Sequence, residues 1–202
     1  MTAFPKAVED AINSFSKLPG IGRKTAQRLV KYMLKMGERD VLTFSESVAH
    51  LKTDVAFCPK CFHIMEKESE MCTICSDTSR DQSMICVVAD FIDVFALEQA
   101  MYYKGLYHVL HGILSPVDGI GVADLTMMPL FERLGAEDVK ELILATNPTM
   151  EGEATAMYIK KNIPLREDLT VTRLAKGMPV GSNIDYADEL TLTNALSKRV
   201  SF

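Results

Sequence analysis

At 202 residues, with 48% of them aliphatic, aromatic or cysteine, the chain can hold one medium domain or a small module joined to a larger one, and it can pack a core. A net charge of −5 argues against a uniformly basic nucleic-acid binder, and no run approaches the ~20 apolar residues that a membrane span requires. The charge is uneven: residues 1–53 carry nine Lys/Arg against five Asp/Glu, a net of +4, which leaves −9 for residues 54–202. A basic head on an acidic body predicts two surfaces with two kinds of partner. The opening MTAFPKAVEDAINSF has acids and an early proline where a secretory signal needs a basic end and an apolar run, so a cytoplasmic protein is expected.

The head, residues 1–53, reads as helices around LPGIGRK. Val8, Ile12 and Phe15 form a short helical stripe before a break at Pro19-Gly20. After Gly22 the pattern resumes with Ala26, Leu29, Val30, Met33 and Leu34. Gly20 and Gly22 allow backbone conformations and a close approach that side chains would block. The helix that follows opens with unpaired N–H groups and the positive end of its dipole, which suits a phosphate. At about 100° per residue, Lys24, Arg28, Lys31 and Lys35 fall within about 60° of one another, opposite a stripe centred near Leu29 and Met33. Such a charged face is common on any solvated helix. Beside a glycine hairpin it predicts contact with DNA. Contacts to phosphates carry no base information, so binding should be sequence-independent and salt-sensitive. A third apolar-periodic piece runs from Val41 to Leu51.

Residues 54–80 contain FCPKCFHIMEKESEMCTIC. Cys58 and Cys61 form one Cys-x-x-Cys pair and Cys72 and Cys75 another, with ten residues between the pairs. Each pair can meet one ion from a single tight turn, and four thiolates complete a closed, tetrahedral site of the structural zinc type. Disulfides and redox dithiols are the alternatives. Reducing cytosol disfavours the first, and a redox Cys-x-x-Cys normally stands singly at the start of a helix. One structural zinc per chain is therefore expected, with no open position for chemistry. His63 lies between the pairs and could replace a ligand, although four cysteines already fill the site. The polar SDTSRDQS that follows, residues 76–83, reads as a loop.

In residues 81–176 apolar runs alternate with helical stretches. MICVVA (84–89), LYHVLH (106–111), ELILAT (141–146) and LTVTRLA (169–175) read as strands. Helices are expected over DVFALEQAMYY (93–103), around 129–134, and from NPTMEGEAT (147–155) to about Lys161, with GILSPVDGIG (112–121) as a long loop. This alternation predicts an α/β fold, a mainly parallel sheet with helices on both faces. Cys86 reads as a buried free thiol, and His108 and His111 as structural. Residues 177–202 end in an amphipathic stretch with Leu190, Leu192 and Leu196, for which core packing is the simplest role.

Functional loops leave the carboxyl ends of parallel strands. That edge should collect Asp90, Asp93, Asp118, Glu151 and Glu153. Five acids could bind magnesium or could cap helices, and Asp93, Glu151 and Glu153 all sit where a helix dipole favours an acid. Magnesium catalysis calls for a carboxylate closing the first strand and an Asp-x-Asp pair closing the third. Residue 89 is alanine, and ILATNPTME has no such pair.

The succession of helix-hairpin-helix, four-cysteine knuckle, SPVDGIG, ILATNPTMEGEATAMYI and GMPVGS closely resembles the RecR family of bacterial recombination mediators, from about Val8 onward. The resemblance implies a Toprim-type sheet without nuclease or topoisomerase activity, in homodimers or homotetramers that encircle or clamp DNA. It implies DNA repair by recombination in a bacterial cytoplasm, at the nucleoid. RecO or RecF would be the partners in loading RecA at gaps coated by single-strand-binding protein. By position, Lys24 and Arg28 would bind DNA, and Cys58, Cys61, Cys72 and Cys75 would hold zinc. The partner-binding acidic group would fall on Ala89, Asp93, Glu151 and Glu153. Where the family's first strand usually ends Val-Val-Glu, this chain reads Val87-Val88-Ala89. The C-terminal stretch would be an arm exchanged between subunits. A magnesium-dependent Toprim enzyme is the runner-up, weakened by Ala89, and a zinc-stabilised protein–protein adaptor is third.

Overall fold

The structure, a computed structural model, describes residues 4–164 and 166–200. The chain divides into two compact units that meet in sequence at Val55 and Ala56. Among the described residues, no helix is long and apolar enough to cross a membrane.

The first unit comprises α1 (Lys6–Phe15), α2 (Arg23–Met33) and α3 (Glu38–Thr53). Ile12 of α1 and Ala26 and Val30 of α2 form its core, with Val8, Ala11, Phe15 and Ile21 packed around them. After α1 the Ile21 N–H returns to the Leu18 carbonyl at 3.1 Å, closing a turn over Pro19-Gly20. Gly20 has φ +77°, a left-handed conformation that disfavours any side chain. One expectation needs correction. Leu29 is exposed, so the buried stripe of α2 runs through Ala26 and Val30 and turns away from the predicted centre. The periodic piece at 41–51 is indeed helical, yet α3 has no buried residue and leaves Leu42, Phe44, Val48 and Leu51 exposed.

A two-stranded hairpin, β1 (Val55–Phe57) and β2 (Ile64–Glu66), begins at the last residue of the first unit, and the short helix α4 (Thr73–Ser76) follows it in the second. The main sheet follows: β3 (Asp81–Val88), α5 (Phe91–Gln99), β4 (Gly105–Val109), α6 (Met127–Ala136), β5 (Glu141–Leu144), α7 (Met150–Asn162) and β6 (Thr170–Arg173). A last helix, α8 (Glu189–Ser197), has no buried residue, and the final two residues of the expected C-terminal stretch lie outside the described residues. Strand order is β4-β3-β5-β6 and every pair is parallel, with Cys86 of β3 level with Tyr107 of β4 and Ile143 of β5. Parallel crossovers are right-handed, which puts α5 on one face and α6 and α7 on the other. Both faces are therefore covered, and consecutive residues Ile85, Cys86, Val87 and Val88 are all buried.

The strand β3 begins at Asp81, so residues 81–83 of the expected loop belong to the sheet. Within that stretch Arg80 is also fixed, ion-paired with Glu98 of α5 and donating to the Gly105 carbonyl at 3.0 Å. Helix α5 ends at Gln99, four residues early, because Met101 turns the chain with φ +53°. The four-cysteine segment shares the sheet's apolar core: α4 packs on β4, and the His63 ring lies 5.2 Å from that of Phe95 in α5.

Candidate metal centre and nucleic-acid interface

The four cysteine sulfurs lie within 4.8 Å of one another, and all four residues are buried. Cys61 and Cys72 are 3.5 Å apart, close to the ~3.8 Å edge of a tetrahedron drawn with Zn–S bonds of ~2.3 Å. The first pair is shaped by a tight turn. Phe62 takes φ +62° and its N–H donates to the Cys58 carbonyl at 2.9 Å, while the Cys58 N–H donates to the His63 carbonyl at 2.8 Å. The second pair is different from the turn expected: Cys72 is the N-cap of α4, and its sulfur accepts the Cys75 N–H at 3.4 Å. Sulfurs this close share protons, so the hydrogen bond with Cys61 pulls Cys72 toward the thiolate while it holds Cys61 protonated. Buried sulfur with developing negative charge calls for a cation. Four soft donors in a closed cluster fit a metal ion. His63 is not part of the cluster. Its ring is buried, and burial lowers its pKa.

In the head, Gly22 is the N-cap of α2 and supplies no side-chain acceptor to the first-turn N–H groups. A Cβ built at Gly20 or Gly22 meets nothing within 4 Å, so the hairpin is open to an approaching backbone. Lys24, Arg28 and Lys31 are exposed along α2 and, among the described residues, form no ion pair. They border a depression of about 450 Å³ with Thr25 and Gln27. Arg23 is committed elsewhere, bonded to Glu9 and, at 3.2 Å, to Asn13 of α1. Lys35 departs from the sequence reading. α2 ends at Met33, and Lys35 sits in the turn beyond it, outside the helical row.

The carboxyl edge of the sheet does hold the five acids, but among the described residues no three of them converge as metal ligands. Asp90 and Asp93 form a capping box on α5, with the Ile92 N–H donating to Asp90 at 3.0 Å and the Asp90 N–H to Asp93 at 2.9 Å. Asp118 accepts the Ser115 hydroxyl at 2.6 Å. Glu153 is gripped by both nitrogens of Arg173, at 2.5 and 2.6 Å, and by Lys176, which push its carboxyl down to about 2. Glu151 is exposed in the first turn of α7. The loop before α7 is tightly wound: Thr149 caps the helix, accepting from Gly152, and a Cβ on Gly152 would stand 2.0 Å from the Asn147 carbonyl oxygen. Sequence reasoning missed the Arg173 and Lys176 clamp, although both cations lie at the end of the fourth predicted strand, on the same edge as Glu153.

A hairpin head of helices, a buried four-cysteine centre and an all-parallel sheet of this order define a Toprim-domain protein carrying a helix-hairpin-helix. Residues 83–175 match the family model for the Toprim domain, residues 8–52 that for the RecR helix-hairpin-helix, and residues 177–200 that for the RecR C-terminal region. The recombination protein RecR of Staphylococcus saprophyticus is 51% identical over 197 residues, covering 97% of this chain and 98% of that one. Those of Staphylococcus haemolyticus and Staphylococcus aureus are 50% identical over the same shares. The chain belongs to the RecR family of recombination proteins.

Proposed function

We propose that this protein is a non-enzymatic DNA clamp in recombinational repair, which helps load RecA at single-stranded gaps together with RecO or RecF. The observation that carries this reading is the row of Lys24, Arg28 and Lys31, exposed and, among the described residues, without ion pairs, behind an open glycine hairpin. Free N–H groups at the start of α2 and three cations along it can follow a phosphate backbone without reading bases. Gly20 and Gly22 give the backbone access, and Lys35 adds charge from the turn. The four cysteines hold one structural zinc per chain in the bacterial cytoplasm. Assembly as a homodimer or homotetramer would multiply the basic heads around one duplex or strand.

The acidic edge, with Asp93, Glu151 and Glu153, serves as a partner surface. Glu151 is the member with charge to offer, since Asp93 caps α5 and Glu153 is paired. Charge reversal at Lys24 and Arg28 should weaken DNA binding and lower the salt dependence by about one unit of slope per lost phosphate contact. Reversal at Lys198 and Arg199 should do much less. Equal effects from the two pairs would move the DNA site off the hairpin. The non-enzymatic reading falls if wild-type protein cleaves DNA with magnesium or manganese and Glu151→Gln abolishes it.

A further inference from the structure

Leu29 and Tyr32 of α2 lie outside the head's core. Tyr32 is 68% exposed and Leu29 36%, and neither lines the apolar groove bordered by Val8, Ala11, Val30, Met33 and Val41. Among the described residues the Tyr32 ring meets no other ring and its hydroxyl makes no hydrogen bond. Thr25, Leu29 and Tyr32 each stand one residue after Lys24, Arg28 and Lys31. One residue turns the helix by about 100°, so the two sets form parallel ridges, each rising about 10 Å along α2. The first ridge is cationic. The second passes from a half-buried threonine to an exposed aliphatic and then an exposed aromatic side chain.

A single DNA strand has the same two-sided character, with phosphates along one side and unstacked bases along the other. Surfaces that hold single strands combine a cationic track for the backbone with aromatic rings on which bases stack. A duplex keeps its base faces inside the stack and offers such a ridge nothing to cover. Stacking is tolerant of sequence because every base has a π face, so it agrees with contacts that read no bases. Tyr102 and Tyr186 are exposed as well, but they belong to the second unit, and residues 54–202 carry a net −9. Of the three, only Tyr32 stands beside a row of cations.

We propose that the second ridge is a nucleobase platform specific for single-stranded DNA: one strand lies along α2 with its phosphates on Lys24, Arg28 and Lys31, and a base stacks on the Tyr32 ring with Leu29 beneath its neighbour. The cations supply affinity for either form of DNA, and Tyr32 supplies the preference for the unpaired one. This inference rests on the reading of the cation row as the DNA site.

The test titrates wild type, Tyr32→Ala, Tyr32→Phe and the Lys24, Arg28 charge reversal with three probes of one length: a mixed-sequence single strand, an abasic single strand and a blunt duplex. Tyr32 is exposed, so its variants should fold, and a circular dichroism spectrum checks this. Tyr32→Ala should bind the single strand about tenfold more weakly, bind the abasic strand and the duplex as wild type does, and keep the wild-type salt slope. Tyr32→Phe should bind all three normally. The chain has no tryptophan, so Tyr32→Trp installs a single reporter, which the base-bearing strand should quench and the abasic strand should not. Unchanged single-strand binding by Tyr32→Ala, beside a loss on charge reversal, overturns the platform and leaves the cation row standing. If charge reversal also changes nothing, both readings fail. An equal loss on all three probes, or a changed native mass in Tyr32→Ala, assigns the ring to the backbone contact or to a second copy of this chain, and either result overturns the proposal.

Discussion

Gly152 shows how one atom can decide a loop. An added Cβ would meet the Asn147 carbonyl oxygen at 2.0 Å, and that oxygen belongs to backbone that α7 and Thr149 hold in place. Gly152→Ala should therefore lower stability by on the order of 2 kcal/mol or more, read as a drop in Tm. His108 makes a pH-dependent contribution. Its ring is fully buried and donates from Nε2 to the Thr126 carbonyl at 2.8 Å, and burial pushes its pKa down to about 4 from 6.5. Between those values the unfolded chain takes up a proton that the folded ring refuses. Stability is thus complete above pH 6.5 and declines as pH falls toward 4, by on the order of 3 kcal/mol at most. Replacing His108 with Gln, which keeps a donor for Thr126, should flatten the pH dependence of urea unfolding in that window. Residues of this kind were only partly legible from sequence. The cysteines announced themselves through spacing, whereas the burial of His108 and the close approach at Gly152 depend on segments brought together by the fold.

Among the elements, periodicity located the helices and strands but not what covers them. The fourth strand was readable from its alternation of apolar and polar residues, and the helix before it buries Gly152, Thr155, Ala156 and Ile159 at helical spacing. α3 carried the same kind of signal, yet its apolar side chains face solvent in this chain, since periodicity reports an amphipathic face and not its partner. The acids of the carboxyl edge were placed on the correct edge, but their roles were hidden in local bonding: Asp93 closes a capping box, and Glu153 meets Arg173 at the end of β6 and Lys176 just beyond it. Helix length also mattered in the head. A projection that continues α2 past Met33 puts Lys35 in the row, and the turn at Leu34 removes it. Lys31→Glu should consequently reduce the salt slope of DNA binding, while Lys35→Glu should weaken binding less and leave the slope closer to wild type. Fluorescence anisotropy across a salt series separates the two, and an equal loss from both would restore Lys35 to the row.

For the whole molecule, the four-cysteine centre matters beyond its own residues because it shares a core with the sheet. A structural zinc of this type contributes folding free energy of about 10–16 kcal/mol in isolated fingers. Cys58→Ser or Cys72→Ser should yield little soluble protein, and wild type should carry one zinc per chain by metal analysis. Freshly purified, fully folded protein with a stoichiometry near zero would remove the metal from this account. The centre also stands at the sheet's margin: β4 is an outermost strand, and the Cys61 carbonyl accepts the Val109 N–H from it at 2.8 Å. All five residues of β4 are buried. Stripped of the knuckle, that strand would present unpaired main-chain groups beside apolar side chains, the template on which chains stack edge to edge into aggregates. The knuckle is therefore a guard as well as a staple. Chelated protein should turn turbid with a β-rich spectrum, read by light scattering and circular dichroism.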